Sequence, residues 1–563
     1  MDPQQDPFKP KHKRTRTGCL RCRRGKHKCD EEKPVCKRCR NANGECVWPD
    51  TAKSTPSTSS AVTSSKRSHH CIETQSVTIQ ELNEDSQVCV CRKSSRAQGN
   101  DQLAAASGNE LDALFSSLTP TDYLTLTFPD SQERELMSHL LCFGTVIMYA
   151  IPIIDRPVLF LDIAQCLSNP RGSSIVSDAV HLSLISIAAV HQSSLFMQQE
   201  KKYLAEAPVN HFGSSPALAH ASFPGDNQRR MRLLGDMFAR TSLDLCRTGI
   251  VFQLEGQQHS TPVSLLATAE SLLSSAMAVM ISQSLAGGKL WQGAFDTALE
   301  IVTLCGGPAK MLDNLKGDPA RLARMRTLLE NLVAVDVCRC LASGSAPSLM
   351  NEPFAPWWFE HAPNPRISGL TDTVNHCYGM DRGFLELANR VNILVHDGLS
   401  LETLLDESQF AIHRQKVNDL LLEVDIWELD ANGALPHKRV QYGNAIMINA
   451  LKVVIYVDLV HYPHEHPLVQ AAATAALEVL EDSRTLGFDI GQLLPTVITS
   501  SMMMTEDKRD RAREVITKLR STVAFSYDIE ETLVMLEKLY DLRDSGNIDP
   551  SWRLVTDTGL LFF

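Results

Sequence analysis

Residues 17–46 read TGCLRCRRGKHKCDEEKPVCKRCRNANGEC, and six cysteines, Cys19, Cys22, Cys29, Cys36, Cys39 and Cys46, decide what the stretch is. Their spacing is C-x2-C-x6-C-x6-C-x2-C-x6-C, so the trio Cys19, Cys22, Cys29 recurs as Cys36, Cys39, Cys46. Each half offers a close thiolate pair plus a third ligand one short helix away, which is a metal cage with a pseudo-dyad. Zinc takes four ligands in a tetrahedron, so six thiolates serve two zinc ions only when two of the sulfurs bridge both metals. The six ligands would then fill both coordination shells, making the two Zn2+ ions structural. The N-terminus lacks the apolar core of a secretory signal, which argues for thiol ligands over disulfides.

The charge around the cage indicates its partner. Residues 1–50 hold fourteen Lys and Arg against seven Asp and Glu, a net +7, whereas the whole chain of 563 residues is −11 and the remainder therefore −18. A small basic head on an acidic body points to a polyanion, and double-stranded DNA is the expected one, bound with counterion release and strong salt dependence. The segment KPKHKRTR at 9–16 adds a basic arm, residues 1–18, suited to nuclear import and phosphate contact.

The quoted stretch resembles the fungal zinc binuclear-cluster transcription factors in all of its cysteine spacings, in the basic run between the second and third cysteines, in Asp30 and in Pro34. The resemblance implies that residues 19–46 form a small two-zinc domain of two short pseudo-symmetric helices. Cys19 and Cys36 would bridge the metals, Cys22 and Cys29 would complete one zinc, and Cys39 and Cys46 the other. It further implies that the helix over CRRGKHKC lies in the major groove at a CGG-like half-site. Lys26 matches the base-contacting lysine, able to donate to guanine O6 and N7. Arg23, Arg24 and Lys28, with Arg21, Lys37 and Arg38 as weaker candidates, would hold phosphates and so position the module. The chain departs from the family at Gly25, where Lys or Arg is common, which leaves the triplet open.

Beyond Cys46 the composition shifts. Residues 47–110, with TAKSTPSTSSAVTSSKRS at 51–68, are expected to form a Ser/Thr-rich disordered linker with too little apolar surface to offset the entropy of ordering. Ile72, Val77, Ile79 and Leu82 fall short of the heptads of a coiled coil, so a zipper is unsupported and homodimerisation through the distal domain stays open. His69, His70, Cys71, Cys89 and Cys91 are too irregularly spaced to read as a metal site.

From 111 to 563 apolar residues recur at helical spacing with no strand-like alternation, which predicts a large all-α body. Helices are expected over 177–196, 229–246, 264–286, 291–305, 319–343, 384–395, 444–461 and 469–481, and one opening at Asp130 with Glu133 as its capping-box partner. The apolar run 140–154 is too short to span a membrane and reads as a buried helix. Phrases such as SQERELMSHLL, GAFDTALEIVTLCGGP, AVDVCRCLASGSAPSL and the closing DPSWRLVTDTGLLFF resemble the fungal-specific transcription factor regulatory region, which implies a helical domain that restrains or relays activation.

The body offers little chemistry. Nucleophile elbows, phosphate-binding loops, dinucleotide fingerprints and H-E-x-x-H pairs are absent, which excludes the commonest enzyme classes. HYPHEHP at 461–467 could hold zinc through His461, His464, Glu465 and His466 but reads better as an inter-helix loop. Cys338 and Cys340 read as buried small hydrophobes, EDKRDRARE at 506–514 as a solvated helix face, and LLLEVDIWELD at 420–430 as a helix with Trp427 inside. The expectation is a nuclear, non-enzymatic, sequence-specific regulator of RNA polymerase II promoters. A metabolic or secondary-metabolite gene set is its target class, and coregulators or the transcription machinery are its protein partners. The alternative is a zinc-dependent protein-interaction adaptor in the nucleus.

Overall fold

The computed structural model describes residues 30, 32–33, 36–41, 46, 120–149, 160–206, 224–255, 262–350, 356–359, 372–404, 407–431, 437–483, 493–519, 526–546, 550–556 and 559. The chain divides into two units, Met1–Leu103 and Ala104–Phe563. Among the described residues of the first unit there is one helix, α1 (Lys37–Asn41). The linker expected over 47–110 lies outside the described residues.

The second unit is helical, with no strand among its described residues. In chain order it contains α2 (Pro120–Thr127), α3 (Ser131–Met148), α4 (Ile163–Leu167), α5 (Ile175–Glu206), α6 (Pro224–Gly249), α7 (Pro262–Ala286) and α8 (Trp291–Leu304). There follow α9 (Pro308–Asp313), α10 (Pro319–Ser343), α11 (Thr373–Tyr378), α12 (Arg382–Leu404), α13 (Glu407–Ala431) and α14 (Lys438–Val454). The last are α15 (Pro467–Ser483), α16 (Leu493–Ser500), α17 (Glu506–Leu519), α18 (Ser526–Asp544) and α19 (Arg553–Thr556). One group packs around α5, α6, α7 and α8, another around α14, α15 and α16, and α10 and α12 join them into one core.

Among the described residues, three helices are long and apolar enough by composition to cross a membrane, with mean hydropathy 1.3 over Ile175–Glu200, 1.5 over Leu265–Ala286 and 1.2 over Lys438–Leu459, yet most of each is buried inside the protein. A helix apolar on every side is a core helix when neighbours cover it. Small residues permit this: a Cβ on Gly235 of α6 would stand 2.7 Å from Val190 Cγ2 of α5, so the two helices meet at close range. Several serines of these helices bond back to their own helix: Ser183 and Ser186 donate to Val180 O and Ser183 O at 2.7 Å, and Ser274 donates to Glu270 O at 2.7 Å.

Asp130 caps α3 as expected, its carboxylate accepting from Gln132 N at 2.8 Å and Glu133 N at 3.0 Å. The reciprocal half of the capping box is not made: Glu133 accepts instead from Arg171 Nε and Nη2 at 3.1 and 3.3 Å, because the chain entering α5 brings a guanidinium within reach. The apolar run 140–154 is the second half of α3 as far as Met148, and its last residues lie outside the described ones.

The reading of 506–514 as a solvated face needs correction. Arg509, only 4% exposed, forks onto Asp544 at 2.6 and 2.8 Å. Arg511 forks onto Glu481 at 2.9 and 2.8 Å, and Arg513 onto Glu537 at 2.7 and 3.0 Å. Bidentate pairs of this kind fix orientation as well as charge, so the row stitches α17 to α15 and α18. Trp427 is half-buried at the edge of α13, set edge-on against Phe384 at 5.9 Å, while Leu422 and Ile426 on the same helix are exposed.

Candidate metal centre and nucleic-acid interface

Helix α1 has five residues, too few to stand alone, since helix nucleation needs more hydrogen bonds than one turn supplies. Cysteine sulfurs hold it. Cys36 stands at the N-cap, where its Sγ accepts from Cys39 N at 3.4 Å, the bond a Ser or Asp makes to the third helical residue. Its carbonyl accepts from Arg40 N at 3.0 Å. Cys36 N in turn donates to Cys46 Sγ at 3.4 Å, tying the segment beyond the helix back to its start.

Cys36, Cys39 and Cys46 thereby bring their sulfurs within 4.8 Å of one another. Cys36 and Cys39 are buried, Cys46 is half-buried, and none of the three is in a disulfide. An ion about 2.3 Å from each sulfur, the usual Zn–S distance, fits such a triangle. Backbone N–H groups aimed at two of the sulfurs favour the thiolate form that a metal needs. Three thiolates this close repel one another unless a cation lies among them, so the donor set fits zinc. Among the described residues this is the one cluster of metal-ligating side chains. Cys19, Cys22 and Cys29 lie outside the described residues, as do the candidate DNA contacts Arg21, Arg23, Arg24, Lys26 and Lys28 and the side chain of Arg38. Lys37 is exposed at the first position of α1.

Asp30 has a role that pattern matching alone did not give. Its Oδ2 accepts from Lys37 N at 2.9 Å, satisfying an orphan amide of α1 from seven residues upstream. The signal was present as an acid just past the third cysteine and a proline before the fourth. Glu32 lies 3.6 Å from Arg40, a partly exposed pair worth little to stability.

The other constellations in the body are structural. His461 adopts a left-handed φ of 60° where the π-turn Ile455–Leu459 ends. His466 stacks on Tyr462 at 3.8 Å while its Nδ1 accepts from Leu468 N at 3.3 Å, and His464 O accepts from Gln470 Nε2 at 2.8 Å. The histidines thus serve the loop and are not gathered as ligands. Cys338 and Cys340 are buried, and burial pushes both thiols up to about 12, as expected of core residues. In the interior, Arg382 donates to Glu330, Asp372 and Trp358 O at 2.9, 2.7 and 2.7 Å, pinning the Trp357-Trp358 segment between α10 and α12.

Comparison with known proteins agrees on both units. Residues 17–55 match the fungal Zn(2)-Cys(6) binuclear cluster domain, and residues 163–563 match the fungal specific transcription factor domain. Transcription factor lfc1 of Flammulina velutipes is 54% identical over 44 residues, 8% of this chain and 16% of that protein. Transcriptional regulatory protein moc3 of Schizosaccharomyces pombe is 53% identical over 45 residues, 8% of this chain and 9% of that protein. White-opaque regulator 2 of Candida albicans is 47% identical over 45 residues, 8% and 10% of the two chains. These alignments therefore span under a fifth of each relative. No solved structure matches the chain at a significant level. With its distal match covering most of its length, behind a zinc cluster, the chain belongs to the fungal specific transcription factor family, a family of regulators and not of enzymes.

Proposed function

We propose that the protein is a nuclear, sequence-specific DNA-binding regulator acting at RNA polymerase II promoters, with a metabolic or secondary-metabolite gene set as its target. Residues 1–18 serve as a basic arm, 19–46 as the reader carrying two zinc ions, 47–110 as a tether and 111–563 as the regulatory body. Lys26 reads guanine in a CGG-like half-site, while Arg23, Arg24 and Lys28, with Arg21, Lys37 and Arg38, clamp phosphates. The observation that carries the reading is the triad of Cys36, Cys39 and Cys46 around a sulfur-capped helix, set in a head of net charge +7. The recurrence of the same cysteine spacing at Cys19, Cys22 and Cys29 supports extending the reading to a second zinc.

Binding titrations on CGG-containing and scrambled duplexes at several salt concentrations test it. Lys26→Ala weakens the preferred site by about 1–3 kcal/mol and leaves the scrambled duplex nearly unchanged. Arg24→Ala weakens both alike and lowers the salt slope by roughly one unit. Equal losses on both duplexes for Lys26→Ala would make that residue a backbone clamp. Weak, non-saturating binding to every duplex by the parent protein would favour the adaptor.

A further inference from the structure

We propose that a cleft in the regulatory body, walled by α4, α5, α7 and α10, is a binding site for a small organic carboxylate, with Arg321 and Arg324 as its anion-holding residues. The cleft has a volume of about 410 Å³, within the usual range of small-molecule sites. Neither the zinc cluster nor DNA contact uses it.

Its polar wall is built around one carboxylate. Glu270, buried on α7, accepts from Arg321 Nε through Oε2 and from Arg324 Nε through Oε1, each at 2.9 Å. Glu270 takes a single N–H from each of two guanidiniums and so holds the two cations side by side in the cleft wall. Arg321 Nη2 is buried with no hydrogen-bond partner within the protein, an expensive state for a charged donor. Arg324 Nη1 has a loose 3.7 Å contact with Oδ2 of Asp162, which is 41% exposed and caps α4 through its other oxygen, Oδ1, accepting from Gln165 N at 3.1 Å. The wall therefore offers two guanidiniums, the side chain whose donors match a carboxylate.

The rest of the lining selects the body of the ligand. Leu161, Val176, Val180 and Ala267 supply apolar surface beside the arginines, and Ser177 stands half-buried at the rim. A bare inorganic anion would satisfy the guanidinium edges and leave that surface wet. A short hydrocarbon or aromatic chain ending in a carboxylate covers both.

The full-length zinc-loaded chain is titrated calorimetrically with hexanoate, 4-phenylbutyrate, the neutral 4-phenylbutyramide and inorganic phosphate. At least one carboxylate binds saturably at one site per chain, with the amide and phosphate each tenfold weaker or more. Arg321→Gln lowers carboxylate affinity at least tenfold. Ser177→Phe, which fills the cleft from its rim and leaves the Glu270 pairs intact, abolishes binding while the melting temperature holds, so the test survives a failure of Arg321→Gln to fold. No saturable binding by either carboxylate, amide or phosphate binding as tightly, or undiminished binding by Ser177→Phe would overturn the assignment. Zinc content and duplex affinity, measured on the same samples, report separately on the DNA-binding reading.

Discussion

Cys36 both caps α1 and lies in the sulfur triangle, and the two roles separate under substitution. Serine is a good N-cap but does not hold zinc as a thiolate does, so Cys36→Ser keeps the helix start and removes the ligand. The bridging position that the family pattern assigns to Cys36 makes its loss felt by both metals, whereas loss of Cys46 touches one. The fragment 1–50 is thus expected to carry two zinc ions, the Cys36→Ser form none, and the Cys46→Ser form about one. Structural zinc contributes about 10–16 kcal/mol of apparent folding energy in such modules, so chelation should unfold the fragment by circular dichroism. A single zinc in the parent fragment, or a fold that survives chelation, contradicts the binuclear site. A second residue-scale device lies in the body, where His139 Nε2 and His191 Nδ1 meet at 2.8 Å beside Phe143. Burial, and for His191 the neighbouring ring, push their pKa values down to about 4 and about 3. Both are neutral when folded and bind protons when unfolded, so their contribution is complete above pH 6.5 and is lost as pH falls toward 4. Asp528, raised by burial, acts in the opposite sense, so the test is a difference between proteins. His191→Gln keeps a hydrogen-bonding partner for His139 but does not titrate, and the fall of unfolding free energy between pH 6.5 and 4 should be shallower by close to one proton. An unchanged slope would mean the pair is not titrating on unfolding.

At the scale of elements, the π-turn Ile455–Leu459 at the end of α14 turns Asp458 toward the C-terminal segment, where Arg553 Nη1 lies at 2.8 Å and Trp552 Nε1 donates at 3.2 Å. Trp552 is fully buried, and Thr556 Oγ1 donates to Ala342 O at 2.8 Å, so α19 is strapped to both α10 and α14. Removing one partner of a buried pair costs about 3–5 kcal/mol; with Arg553 partly exposed, Asp458→Ala should cost about 3 kcal/mol by urea unfolding, and Asp458→Asn, which keeps the tryptophan bond, less. Equal stabilities for the three proteins would show that the strap contributes nothing. Gly443 of α14 makes a companion case, since a Cβ there would stand 2.0 Å from Gly379 O at the left-handed cap of α11. These features show where the sequence was legible. The bounds of α10 follow from Asp318, Pro319 and the left-handed Gly344, all local signals. The long apolar stretches of α5 and α7 announced core helices because burial on every side calls for apolar residues on every side. Asp30 as the cap of α1, the forks of Arg509, Arg511 and Arg513, the turn of Glu133 to Arg171 and the π-turn at Asp458 each depend on a partner distant in the chain, which no local pattern encodes. The pairing of Arg321 and Arg324 on Glu270 is of the same kind: three residues 51 and 54 positions apart that the fold alone brings together.

For the whole molecule the decisive quantity is the distribution of charge. A +7 head and a −18 remainder behave oppositely toward DNA phosphate, one releasing counterions on contact and the other repelled, with the repulsion screened beyond a Debye length of about 8 Å at physiological salt. The carboxylates that make the body acidic are partly consumed internally, as with Glu330, Asp372 and Glu270, yet their arginine partners are consumed with them, so the net charge stands. The net charge of the body therefore opposes DNA phosphate. Residues 111–563 alone are expected to show no binding to a promoter duplex that the full chain binds. Deleting them should leave the affinity and salt slope of the head unchanged while altering output from a reporter carrying that promoter. Charge repulsion also sets the direction of any residual effect: if the body influences the head at all through the field, deletion raises affinity slightly at low salt, and the difference vanishes as salt is increased. A body that binds the duplex as tightly as the full chain, or a deletion that weakens binding at every salt concentration, would show that DNA recognition is shared between the two units instead of being confined to the zinc cluster.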